Sequence, residues 1–196
     1  KQYIDWLIKW ITDRRLEMKD KGLLLVISGF SGAGKGTVVK RLLEQHNDYA
    51  LSISATTRSP REGEQDGREY FFKSKEQLKE GKNVILEIEI QGALNIKSMF
   101  PDAVLLFIMP PSAKELERRL VGRGTEDEAT IRARLSRASE EAQGVENYNY
   151  IVINDDVDTC VETIDSIVKS EKRKAANNIN LINNIKEELK AYSKGE

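Results

Sequence analysis

The sequence predicts an α/β protein, a five-stranded parallel sheet with helices on both faces. Three observations predict it. Five short apolar runs recur along the chain, helix-period stretches separate most of them, and a glycine-rich loop joins the first run to the first helix. In such a sheet, ligands gather at the carboxyl ends of the strands. A chain of 196 residues can bury one sizeable core, so one main domain is expected.

The strands are expected at Leu23–Ser28, Leu51–Ser54, Val84–Glu89, Val104–Met109 and Tyr150–Asn154, each a run short and apolar enough to be buried on both faces. Helix spacing marks Lys35–Glu44, Gly92–Met99, Ser112–Gly122, Glu126–Gln143 and a long segment from Val157 onward. Ser112, with Glu115 three residues on, has the form of a capping box. In the last stretch Ile179, Ile182, Ile185 and Leu189 keep a helical period and charged residues follow, as in a peripheral helix with a frayed end over 174–196. Tyr3–Ile11 stands apart: it has a narrow polar stripe and a wide apolar face that carries Trp6 and Trp10. That face is expected to pack on the chain's own body, to make a partner or subunit contact, or to lie at a membrane interface. Met18 has the look of a natural start, which makes residues 1–17 an extension or a fused peptide.

Composition removes several function classes. Thirty-one basic residues stand against 32 acidic ones, so no global field draws the chain to nucleic acid, and any anion site is local. Cys160 is the only cysteine, which excludes an intramolecular disulfide and a four-cysteine metal site and fits the cytoplasm. His46, the only histidine, lies in a polar stretch without a nucleophile motif, as a solvated helix-end residue would. No apolar run is long enough to span a membrane.

The glycine loop reads "GFSGAGKGT", from Gly29 to Thr37. Gly29, Gly32 and Gly34 let the backbone turn sharply and bring N–H groups against phosphate oxygens, while the next helix aims its positive end at them. Lys35 adds a full charge. The hydroxyl usual directly after the lysine is displaced by Gly36 to Thr37, so a phosphate contact is better supported there than a metal ligand. A second anion clamp follows a strand in "SISATTRSPREGEQDGREYFF", where Arg58 and Arg61 offer planar guanidinium forks. Two clamps imply a donor and an acceptor nucleotide. A third cluster, "ELERRLVGRGTEDEATIRARLSRA", spreads six arginines over two helices. Some can converge as a mobile lid on a transferring phosphoryl group, while Arg118, Arg132 and Arg137 have nearby glutamates to pair with. Glu87 and Glu89 are expected on one face at the end of a strand, where a carboxylate needs a cation or a hydrogen-bond donor edge such as that of guanine.

These stretches, together with "VILEIEIQGA", "LLFIMPPS" and "YIVINDD", resemble guanylate kinase in family order from about Lys21 to about Arg173. The resemblance implies a P-loop kinase fold with a helical lid (119–144) and a GMP-binding insert (54–82), within a domain spanning 18–173. It implies phosphoryl transfer from ATP to GMP or dGMP with Mg2+. Residue by residue, it places Gly29, Phe30, Ser31, Gly32, Ala33, Gly34, Lys35, Gly36 and Thr37 on the ATP phosphates, and Arg58, Arg61 and Tyr70 on the GMP phosphate. Ser54 and Glu89 would read guanine. Arg119, Arg123 and Arg134 would act on the phosphates, Asn154 and Asp155 would lie on the adenine side, and Thr37 and Glu87 would meet the metal, through water. Lys35, Arg58, Arg123 and Arg134 are the expected catalytic set.

Three departures accompany the resemblance. Phe30 replaces a small residue or proline, and it either crowds the loop or packs outside it. Only Phe71–Asn83 separates Tyr70 from the strand at Val84, so a block carrying a guanine-reading glutamate and a "YYGT" segment is missing here: it is either deleted, which reduces the acceptor region, or left out of this sequence. Residues 1–17 have no place in the pattern. Phosphoryl transfer is the leading expectation; a binding module or a chimera on the same core is the alternative.

Overall fold

The first strand, β1 (Leu24–Gly29), is an unbroken apolar run whose interior residues Leu25, Val26 and Ile27 are fully buried, as a central parallel strand requires. The computed structural model describes residues 22–52, 77–78, 80–122 and 127–193. Among these, helix α1 (Lys35–Gln45) follows β1, then come β2 (Tyr49–Ser52) and β3 (Asn83–Glu87). After them run α2 (Ile90–Met99), β4 (Val104–Met109), α3 (Ala113–Val121), α4 (Glu128–Glu141) and β5 (Tyr150–Ile153). The chain continues through α5 (Val157–Lys172) and α6 (Ile179–Ser193).

All the strands pair in parallel, in the order β2-β3-β1-β4-β5. From β1 the chain steps to one edge through α1 and later returns past β1 to the other edge through α2. Right-handed crossovers carry those two helices to opposite faces of the sheet. The reversal falls beside β1, which leaves the glycine loop at the crevice where doubly wound sheets hold ligands. Beneath it Leu105, Leu106, Phe107 and Ile108 of β4 complete the buried centre.

Element boundaries differ from the sequence expectation in instructive ways. The run expected to extend to Glu89 ends as a strand at Glu87, and Glu89 is the N-cap residue of α2, with φ −74° and ψ 163°. Glu87 and Glu89 therefore do not share a strand face. The β3 pairing with β1 ends at Ile27↔Glu87, while β1 goes on two residues further beside β4, to Gly29↔Ile108. Of the capping box expected at Ser112, the N-cap half is formed, the hydroxyl accepting from the Glu115 N–H at 3.1 Å, while the Glu115 carboxylate turns to Arg118 and Arg119; Asp127 caps α4 by accepting from Thr130 N–H at 2.7 Å.

The chain divides into two compact units, Lys1–Val161 and Glu162–Glu196, with the division inside α5. In the second unit α5 ends at Lys172, beside the start expected for the C-terminal helix at residue 174. There the Asn177 and Asn178 side-chain amides donate to the Glu171 and Lys172 carbonyls at 2.7 and 2.8 Å. These bonds satisfy carbonyls that the end of a helix leaves open. Along α6, Ile179, Leu181, Ile185 and Leu189 are exposed.

Candidate active site

Between β1 and α1 the loop makes its turn with positive φ at Gly32 (94°) and Gly34 (88°), a region that glycine enters without strain. Space is equally restrictive at Gly34, where a Cβ atom would lie 2.5 Å from Asn154 Nδ2. Asn154, just past β5, is 3% exposed, and its Nδ2 donates to the Ala33 carbonyl at 2.8 Å. The last strand thus buttresses the loop of the first.

Lys35 opens α1, and its Nζ donates to the carbonyls of Gly29 at 2.7 Å and Phe30 at 3.3 Å. The ammonium is folded over the loop, beside the N-terminal end of a helix with no acidic residue in its first turn. Both features favour an anion. Thr37 and Gly36 are exposed in that turn, and a Cβ at Gly36 would meet nothing within 4 Å. Steric exclusion of a side chain therefore does not explain Gly36.

Phe30 packs outside the loop mouth. It is 8% exposed and meets Phe107 edge-on at 4.9 Å, and Phe107 in turn meets Tyr148 at 5.0 Å. The side chain anchors the loop in the core, while its carbonyl accepts from Ala33 N–H at 3.0 Å. Burial holds the Tyr148 hydroxyl above the usual tyrosine range.

The arginines of α3 and α4 divide as their neighbours dictate. Arg134 Nη1 reaches Ser31 Oγ at 3.4 Å, so α4 brings one guanidinium to the loop across 103 residues of sequence. Arg119 is partly buried and donates to Glu115 at 2.6 Å, and Arg118 grips the same carboxylate at 2.7 Å. These two arginines, Arg118 foremost, hold the Glu115 carboxyl down at about 2. Arg132 pairs with Glu128, and Arg137 spans Glu141 and Glu89 at 3.2 and 3.3 Å. Glu89 is consequently tied to α4. Glu87, at the carboxyl end of β3, is half-buried, and Asp155 is exposed. Ser54, Arg58, Arg61, Tyr70 and Arg123 lie outside the described residues, as does the N-terminal stretch with Trp6 and Trp10.

The structure thus brings together the loop, Lys35, Arg134 and Asn154. Sequence reading missed the contact between Asn154 and Ala33, and its only sequence trace is a polar residue closing an apolar strand. A central parallel strand that ends in a glycine loop, a lysine at the start of the following helix, and an arginine brought over from a later helix define a phosphate-loop kinase.

Within that class, the chain belongs to the guanylate kinase family, whose model matches residues 21–81 and 78–171. It is 47% identical to the guanylate kinase of Caldanaerobacter subterraneus over 88% of this chain and 99% of the relative. Against the guanylate kinase of Clostridioides difficile it is 45% identical, over 86% and 98% respectively. Among solved structures, the guanylate kinase of Anaplasma phagocytophilum superposes with a TM-score of 0.59 at 28% identity, over 82% of this chain and 92% of that one. The two family-model matches meet and overlap at 78–81. The alignment to the Caldanaerobacter relative runs over 204 positions, more than the 196 residues here, yet uses only 88% of them. It therefore contains positions at which this chain has no residue.

Proposed function

We propose that the chain transfers the terminal phosphoryl group of ATP to GMP or dGMP, giving ADP and the nucleoside diphosphate. The observation that carries the reading is the donor half. Glycine loop, Lys35 ammonium and Arg134 guanidinium converge on one spot, within a chain of the guanylate kinase family. No general base is required, because the acceptor phosphate is already an anion; the work is positioning and charge neutralisation. In this reading Gly29–Thr37 holds the ATP phosphates, Lys35 and Arg134 follow the charge as it moves, and Arg119 is released from Glu115 to join them. Arg123, between α3 and α4, belongs to the same lid, and Asp155 lies toward the adenine.

Magnesium fits the donor set. An ion of this kind takes most of its ligands from phosphate and water and needs only one or two protein oxygens. Thr37, exposed at the head of α1, and Glu87, at the carboxyl end of β3, offer them, the latter through water. When bound, the ion offsets charge on the phosphates.

For the acceptor, Arg58, Arg61 and Tyr70 would hold the GMP phosphate, and Ser54 and Glu89 the guanine. This half is shortened. The split in the family-model match at 78–81, inside the short Phe71–Asn83 interval, supports this reading. Each hydrogen bond lost to a buried guanine edge costs about 1–3 kcal/mol, so weakened GMP binding is expected beside an intact donor site.

An ADP-release assay with ATP and magnesium, offering GMP, dGMP, AMP and UMP in turn, tests the reading. Release with the two guanine nucleotides and little with the others is expected. Release with AMP or UMP alone would assign the chain another acceptor.

A further inference from the structure

Asn154, expected on the adenine side, lies just past the end of β5. It is 3% exposed, and its backbone N–H is fixed by the Met109 carbonyl at 2.8 Å. Its side-chain Nδ2 donates to Ala33 O at 2.8 Å, across 121 residues of sequence. The assignment of that atom follows from chemistry, since a carbonyl can only accept.

The Ala33–Gly34 peptide is planar and trans, so its C=O and N–H point in opposite directions. A carbonyl pinned toward Asn154 therefore turns the Gly34 N–H the other way, out of the protein's interior. Among the described residues, no backbone acceptor engages that N–H. Gly34 is also the N-cap residue of α1, where backbone N–H groups and the helix dipole favour an anion. No side chain fits at Gly34 while Asn154 holds this place, because a Cβ would lie 2.5 Å from Nδ2.

We infer that Asn154 is a positioning residue for the phosphate loop: by fixing the Ala33 carbonyl, it aims the Gly34 N–H at the phosphates of the donor nucleotide. The inference rests on the donor half of the proposed function and is independent of the acceptor. It departs from an adenine contact in a way that binding can separate, because inorganic tripolyphosphate carries the phosphates and no base.

The test is isothermal titration of magnesium tripolyphosphate and magnesium ATP into the whole chain and into Asn154→Asp, which keeps the side chain's shape but replaces the donor by an acceptor. Titration is done well below the variant's melting temperature. Both ligands should weaken by the same factor, about tenfold for one lost well-placed hydrogen bond. Weakening of ATP alone would overturn the inference in favour of an adenine contact. No weakening of either, with only a lowered melting temperature, would overturn it in favour of a purely structural bond. Failure of the unaltered chain to bind either ligand would overturn the phosphate-loop reading as well. Should the variant not fold, nuclear magnetic resonance of the unaltered chain decides. The Asn154 carboxamide and Gly34 amide signals should both move on adding tripolyphosphate. A carboxamide that moves only with adenosine would contradict the inference.

Discussion

At the scale of single residues, the loop is built from two kinds of commitment, one to the core and one to the ligand. Phe30 belongs to the first. Edge-on against Phe107 and nearly enclosed, its ring ties the loop to β4. Phe30→Ala is expected to cost about 3 kcal/mol of stability in urea unfolding, at the lower end for a large aromatic lost from a core. Lys35 belongs to the second. Its ammonium rests on two carbonyls at a half-buried site, so removing it strands little and withdraws a charge from the moving phosphoryl group. Lys35→Ala should lower kcat on the order of 10³-fold with a nearly unchanged melting temperature. A lost fold instead would make Lys35 a structural residue. The glycines and Lys35 were legible in the sequence, because each has a local reason. Phe30 was not, because the ring that receives it lies 77 positions away.

At the scale of elements, α3 shows how a helix start can be tied to the arginine proposed to act on the phosphates. Ser112 caps it, and Glu115 accepts from both Arg118 and Arg119. The Glu115 carboxyl lies at about 2 in the folded chain, against 4.5 without these partners. The folded state therefore binds this proton less readily than the unfolded chain. The stabilisation is complete above pH 4.5 and drains away as pH falls toward 2. Glu115→Gln should flatten the melting temperature over that window relative to the unaltered chain; an identical slope would show that other carboxyls govern it. The helices around the loop were legible because their caps and periodicity are written locally, and β4 falls on its expected residues. The end of β3 was not. Apolar alternation continues through Glu89, while the pairing partner that decides where a strand stops is contributed by another part of the chain. The break between α5 and α6 falls beside the boundary expected at residue 174, and asparagine side chains, not a glycine or proline, end the helix there.

At the scale of the whole molecule, the glycine loop, Lys35 and Arg134 are gathered beside the end of β1, at the point where the strand order reverses. β2 and β3 are direct neighbours, in register at Tyr49↔Asn83, so the number of residues between them in sequence does not set the pairing of the sheet. Among the described residues, no helix is long and apolar enough to cross a membrane. The most direct measurement is ADP release at saturating magnesium ATP across a GMP series, run beside the full-length Caldanaerobacter relative. The expected result is GMP-dependent release with a KM for ATP within about threefold of the relative and a KM for GMP raised by roughly tenfold or more, the equivalent of one lost hydrogen bond. The contradicting result is bound ATP with no release at any GMP concentration.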